Sequence, residues 1–91
     1  MSGGAFVYVL RCADGSLYTG WTVDVERRLA AHSAGTASRY TRSRRPVELA
    51  ASWEHPGRSA AMREEARIKA LPREAKLRLL DEARPRTTPR A

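Results

Sequence analysis

The patterned part of the chain begins with a continuous apolar run, Phe6-Val7-Tyr8-Val9-Leu10. A run of that length, rich in β-branched residues, predicts a strand covered on both faces. Residues 17–22 predict the returning strand, with Leu17, Thr19 and Trp21 on one face and Tyr18, Gly20 and Thr22 on the other. Between the two runs, Ala13-Asp14-Gly15-Ser16 is a turn signal, so they should form a hairpin. The hairpin would set Tyr8 and Tyr18 on neighbouring strands. Gly20, inside a strand, marks close approach of a backbone or a ligand.

After the hairpin the period lengthens. Asp24 predicts the N-cap of a helix that runs to about Ser33 and ends near Gly35. Its inward stripe, spaced i, i+3, i+4, i+7, is Val25, Arg28, Leu29 and His32. Residues 36–46 read as a polar, basic loop closed by Pro46. Val47 to Trp53 alternates weakly and predicts a third strand, broken by His55-Pro56-Gly57. Ser59 is expected to cap a second helix reaching about Leu71, with Ala61, Met62, Ala66, Ile68 and Leu71 as its apolar side. Pro72 suits the first residue of a third helix, which carries Leu77, Leu79 and Leu80 and fades near Ala83. Residues 84–91 lack apolar periodicity and are expected to form a flexible basic tail. The predicted order is β-β-α-β-α-α: one small α+β domain over residues 5–83, a three-stranded antiparallel sheet flanked by helices.

Length permits one such domain and a thin core. Charge changes the picture more. The net charge is +7, and nearly all the positive side chains are arginine; only Lys69 and Lys76 are lysine. Guanidinium forks suit phosphate oxygens, so the surplus points to nucleic acid as the partner, with solubility as the plainer reading. Cys12 is the sole cysteine, which excludes an intrachain disulfide. No apolar stretch has membrane-spanning length and no secretory segment is apparent, so a cytoplasmic location without a membrane partner is expected.

Several polar residues occupy positions a plain core would not give them. Arg28 and His32 lie one helical turn apart on the inward stripe. Without partners, burying them would cost several kcal/mol, on the order of a desolvated charge. They therefore sit at a rim or line a site, unless His32 is a hydrogen-bonded structural histidine. Glu65 falls near the centre of the apolar arc of the second helix. It either leans out to pair with Arg63, Arg67 or Lys69, or serves as a ligand for a hard divalent ion. Arg39, Arg42, Arg44 and Arg45 surround Tyr40, a composition suited to phosphates and base stacking. Tyr8 and Tyr18 are either core residues or groups that orient water.

Together these segments resemble the GIY-YIG nuclease family, in its compact single-domain YhbQ-like (UPF0213-type) branch. The resemblance runs over about residues 5–80. The first motif stands as Phe6-Val7-Tyr8 and the second as Tyr18-Thr19-Gly20. The Arg-Leu-x-x-His stretch is Arg28-Leu29-Ala30-Ala31-His32. The basic tyrosine loop is Arg39-Tyr40-Thr41-Arg42, followed by Arg45-Pro46; the late acidic stretch is Glu65-Ala66-Arg67-Ile68-Lys69. The chain departs in having Phe6 where the motif has Gly, and in containing no Asn, a residue many family nucleases carry downstream of the metal-binding Glu.

The resemblance implies phosphodiester hydrolysis with one divalent metal, Mg²⁺ or Mn²⁺, on DNA ahead of RNA. Selection would rest on DNA structure rather than sequence, in repair or processing. It assigns the metal to Glu65 and the scissile phosphate to Arg28. Tyr8 becomes the general base or water-orienting group, with its pKa pulled down by Arg28, the metal and a hydrogen bond to His32. Tyr18 would bond the phosphate or the water. Arg39, Tyr40, Arg42, Arg44, Arg45 and Lys69 would contact nucleic acid. The missing Asn motivates an alternative, a nucleic-acid-binding module of the same fold with weak or no turnover. A third reading is a basic partner of a larger complex, docking through the third helix and the tail.

Overall fold

The computed structural model describes residues 4–83; the predicted tail at 84–91 lies outside the described residues. The elements are β1 (Ala5–Cys12), β2 (Leu17–Thr22), α1 (Val25–Ala34), α2 (Arg39–Arg42), β3 (Val47–His55), α3 (Arg58–Lys69) and α4 (Arg73–Glu82). The expected α+β order holds, with one turn of helix added inside the basic loop.

All three strands are antiparallel, in the order β2-β1-β3. The central position of β1 explains its unbroken apolar run, since both its edges are paired and both its faces are covered. The hairpin turn is held by Asp14, whose Oδ1 accepts from the Ser16 backbone N–H at 3.0 Å and from its hydroxyl at 2.6 Å. Gly15 sits there at φ +86°, in the left-handed region that favours glycine. Register pairs Tyr8 with Gly20 and Val7 with Trp21. Ala50 is an extra residue in β3, because Val9 faces Ala51 while Leu10 faces Leu49.

Alternation divides the sheet into two chemistries. One face carries Ala5, Val7, Val9 and Ala51, which pack with Ala61 and Ile68 of α3 and Leu80 of α4 to form the hydrophobic core. The opposite face carries Tyr8, Leu10, Tyr18 and Gly20, and it meets α1 and α2 through His32 and Thr41. Leu10, His32 and Thr41 are completely buried there.

Helix ends follow local chemistry, with some departures from the sequence reading. Asp24 caps α1, accepting from Arg27 N–H at 3.0 Å, and Gly35 ends it at φ +83°. α2 lies inside the stretch whose composition predicts a loop. Ser38 nucleates it by accepting from the N–H groups of Tyr40 and Thr41, and its four residues are too few to show a helical period. α3 starts at Arg58 with Gly57 as N-cap, two residues before the expected Ser59, because the chain leaves β3 in an extended path that turns helical at once. The apolar side expected for α3 is also corrected. Met62 and Ala66 are exposed, and the buried line is Ala61 and Ile68. Pro72 is the N-cap of α4, not its first residue. β3 extends to His55.

Candidate active site

Tyr8 points from the central strand across Gly20, and only a residue without a side chain leaves it room. A Cβ at position 20 would stand 2.5 Å from the Tyr8 hydroxyl. The close approach expected at Gly20 is therefore made by a side chain rather than by a backbone or ligand. Tyr8 is 3% exposed, and its hydroxyl lies 2.9 Å from Nε2 of the fully buried His32. Nδ1 of His32 lies 2.7 Å from the Thr41 hydroxyl oxygen, which itself lies 3.4 Å from the Ser38 carbonyl.

The direction of these bonds follows from the last acceptor. A carbonyl only accepts, so the Thr41 hydroxyl donates to Ser38 and accepts from Nδ1–H. Nε2 then carries the lone pair and accepts from the Tyr8 phenol. Burial, with Arg28 nearby as a second cause, depresses the His32 pKa and favours the neutral ring. Thr41 was not among the residues singled out from sequence. Its signal was the i+9 offset from His32, which has meaning only once the α1–α2 turn exists.

In the protein alone the Tyr8 pKa shifts in the opposite direction to the one expected. Burial and neighbouring Tyr18 raise it well above that of an ordinary phenol, and Arg28 offsets this only in part. Tyr8 is thus a neutral phenol with a proton acceptor behind it, not a standing tyrosinate. Tyr18 flanks both groups, its ring centroid 6.5 Å from that of Tyr8 and 5.0 Å from that of His32.

These groups open onto a cleft of about 370 Å³ at the β2 edge. The hairpin supplies Tyr8, Tyr18 and Gly20, and the end of β2 supplies Trp21 and Thr22. α1 supplies Arg28, while α3 reaches in from the other layer with Arg58 and Glu65. The five expected catalytic residues thus converge: Tyr8, Tyr18, Arg28 and Glu65 line the cleft, and His32 stands behind Tyr8. Arg28 resolves to the rim, exposed at the mouth. Arg58 is a lining cation that the sequence reading missed, because its only local signal was a helix start placed too late.

Glu65 lies one turn from Ala61 and three residues before Ile68, so the packing of those two anchors fixes its direction. Its side chain is 21% exposed, and Lys69 Nζ lies 3.5 Å from one carboxylate oxygen. Glu64 instead pairs with Arg67. Among the described residues no three His, Cys, Asp or Glu side chains gather into a metal cage. A single carboxylate in an open, wet cleft fits Mg²⁺ or Mn²⁺, ions that keep several waters and share substrate phosphates.

The arginines of the basic loop separate into two groups. Arg44 is committed: its guanidinium lies 3.9 Å from the Tyr40 ring centroid and 3.1 Å from Asp14 Oδ2, and Nη1 donates to the Tyr40 carbonyl. Tyr40 also stacks against Tyr18 at 5.8 Å, so much of its expected base-stacking surface is covered. Arg45 donates to the carbonyls of Arg42 and Ser33. The side chains of Arg39 and Arg42 are exposed. No helix among the described residues is long and apolar enough to cross a membrane.

The chain is similar in sequence to many known proteins. The GIY-YIG catalytic domain matches residues 4–78. A UPF0213 protein of Streptococcus sanguinis is 51% identical over 82 residues, 90% of this chain and 94% of the relative. One from Natronomonas pharaonis is 51% identical over 80 residues, covering 88% and 94%. The solution structure of a UPF0213 protein from Bacillus halodurans has a TM-score of 0.60 at 43% identity, covering 91% of this chain and 89% of that one. The extent of these matches and the shared fold lead to one conclusion: the chain belongs to the GIY-YIG catalytic-domain family, among its UPF0213 proteins.

Proposed function

We propose that the protein is a metal-dependent endonuclease that hydrolyses phosphodiester bonds in DNA. The observation that carries this reading is the cleft itself. A neutral phenol backed by an imidazole lone pair faces the same space as two guanidinium groups and one carboxylate. That combination supplies a proton acceptor, anion stabilisers and a metal ligand around a space roomy enough for a phosphodiester.

Arg28 and Arg58 bind the scissile phosphate and stabilise the charge that accumulates on it during attack. A water hydrogen-bonded to the Tyr8 oxygen attacks phosphorus. Its proton passes to Tyr8 Oη as the phenolic proton passes to His32 Nε2, so tyrosinate never accumulates. His32 becomes an imidazolium, steadied by Nδ1–H donation to Thr41. The leaving 3′-oxygen takes its proton from solvent, and His32 later returns its proton through Tyr8. Tyr18 positions the water or a phosphate oxygen. Glu65 would hold a divalent ion, Mg²⁺ or Mn²⁺, which would supply Lewis-acid stabilisation of charge at the phosphate.

Selection by DNA structure, as in repair or processing, fits the side-chain inventory. The chain has no Asn or Gln to read an adenine edge. Nicking of supercoiled, branched and single-stranded DNA with Mg²⁺ or Mn²⁺, against EDTA, tests the proposal. Tyr8→Phe and Glu65→Ala should abolish cleavage and leave binding in place; undiminished cleavage by Glu65→Ala would refute it. The second reading, binding with little turnover, draws support from Lys69, which occupies one oxygen of the proposed metal ligand. Binding without nicking on the whole panel would establish it.

A further inference from the structure

A second depression, about 570 Å³ in volume, lies at the C-terminal end of α1 and shares no lining residue with the catalytic cleft. Arg39, Arg42 and Arg45 line it, with residues 34–38, and no carboxylate does. Arg45 is held there by bonds to the Ser33 and Arg42 carbonyls. It lies against Gly35, where a Cβ would meet its guanidinium at 2.9 Å. The bond to Ser33 also caps one carbonyl at the end of α1, the end whose dipole repels an anion. Arg39 and Arg42 sit three apart on α2, so both reach one side of the turn. None of the three makes an ion pair within the hydrogen-bonded framework of the described residues, in contrast to Arg44 with Asp14.

We infer that this basin binds a second phosphodiester of the nucleic acid, on the strand that enters the catalytic cleft. The inference rests on the nucleic-acid reading of the domain but not on turnover. Arg28 and Gly35 are seven residues apart on α1, about 10 Å along its axis at 1.5 Å per residue. That is roughly three 3.4 Å steps of a B-form strand. A dinucleotide held at Arg28 falls short of the basin, whereas a strand of about six nucleotides reaches it.

Salt-dependent binding of DNA by the full chain provides the test, read by fluorescence anisotropy and independent of cleavage. The double variant Arg39→Ala/Arg42→Ala should lower the slope of log K against log salt by about 0.9 on duplex DNA, for the one phosphate the basin neutralises. Arg39→Lys/Arg42→Lys should restore most of it. A control pair, Arg63→Ala/Arg78→Ala, exposed on α3 and α4, should change it less. A hexanucleotide should separate wild type from the alanine pair, and a dinucleotide should not. An unchanged slope, or an equal loss in the control pair, overturns the site. Inorganic phosphate at matched ionic strength should compete with DNA more strongly on the wild type than on the alanine pair. If phosphate protects Arg39 and Arg42 while DNA affinity is the same in all variants, the basin serves free phosphate and the polynucleotide proposal fails.

Discussion

The Tyr8 hydroxyl occupies the space that a side chain at Gly20 would need, with 2.5 Å between Oη and the position of a Cβ at residue 20. One small residue thus sets the position of the phenol, and through it the bond to His32. Gly20→Ala should push the ring away, cost about 1–3 kcal/mol as overpacking does, and reduce cleavage far more than DNA binding. Gly15→Ala is the contrast. Nothing lies within 4 Å of its added Cβ, and the strain comes from φ +86° alone. It should lose about 1 kcal/mol with cleavage intact. Thermal melts paired with nicking rates distinguish the two.

Thr41 should decide which nitrogen of His32 carries the proton. Its hydroxyl accepts from Nδ1–H because its own proton goes to Ser38. Thr41→Val removes that acceptor and leaves a buried N–H unpaired, at a cost of about 1–3 kcal/mol. The ring should then shift toward the Nε2–H form, which cannot accept from Tyr8. Long-range ¹H–¹⁵N spectra of the imidazole report the tautomer directly. Thr41→Ser should keep the wild-type pattern and activity, and a Thr41→Val spectrum identical to wild type would remove the role.

Much of the site was legible in the sequence for a simple reason. Strand alternation and the i, i+4 rule are local, so they place Tyr8, Tyr18, Arg28, His32 and Glu65 on definite faces before any packing is known. Other features depended on tertiary contact. Burial of Tyr8, with Tyr18 beside it, raises its pKa, opposite to the direction expected from Arg28, the metal and the bond to His32, because desolvation outweighs a guanidinium at an exposed rim. The loop arginines looked equivalent in composition. Only the approach of the hairpin turn to α2 shows that Arg44 belongs to Asp14. α2 itself is a single capped turn, below the length at which periodicity can speak.

Acid should weaken both the fold and the activity through His32. Its folded pKa is depressed by burial, so below the unfolded value of about 6.5 the unfolded chain binds the extra proton first. The stability contributed by the neutral ring is present above that value and is lost as pH falls through the depressed folded pKa. Cleavage should show an acid limb in the same region, because a protonated Nε2 cannot receive the Tyr8 proton. His32→Phe, although itself less stable, should flatten the acid dependence of the melting temperature between about pH 7 and 5. An unaltered dependence in that variant would assign the effect to other groups.

Lys69 and a metal should compete for Glu65. The ammonium lies 3.5 Å from a carboxylate oxygen on the same helix, and a divalent ion bound there must share or displace it. Lys69→Ala removes the competitor and leaves the cleft wall intact, since Lys69 is exposed and its pair with Glu65 is partly solvated. Mn²⁺ should therefore bind the Lys69→Ala protein more tightly than wild type, several-fold at most. Glu65→Gln should lose that binding in either background. Titration followed by Mn²⁺ paramagnetic broadening of the Tyr8 and Tyr18 ring signals reads this without any need for turnover. If broadening survives Glu65→Gln, the ion sits elsewhere and the metal assignment to Glu65 falls. If Lys69→Ala weakens Mn²⁺ binding instead, the lysine orients the carboxylate for the ion rather than competing with it.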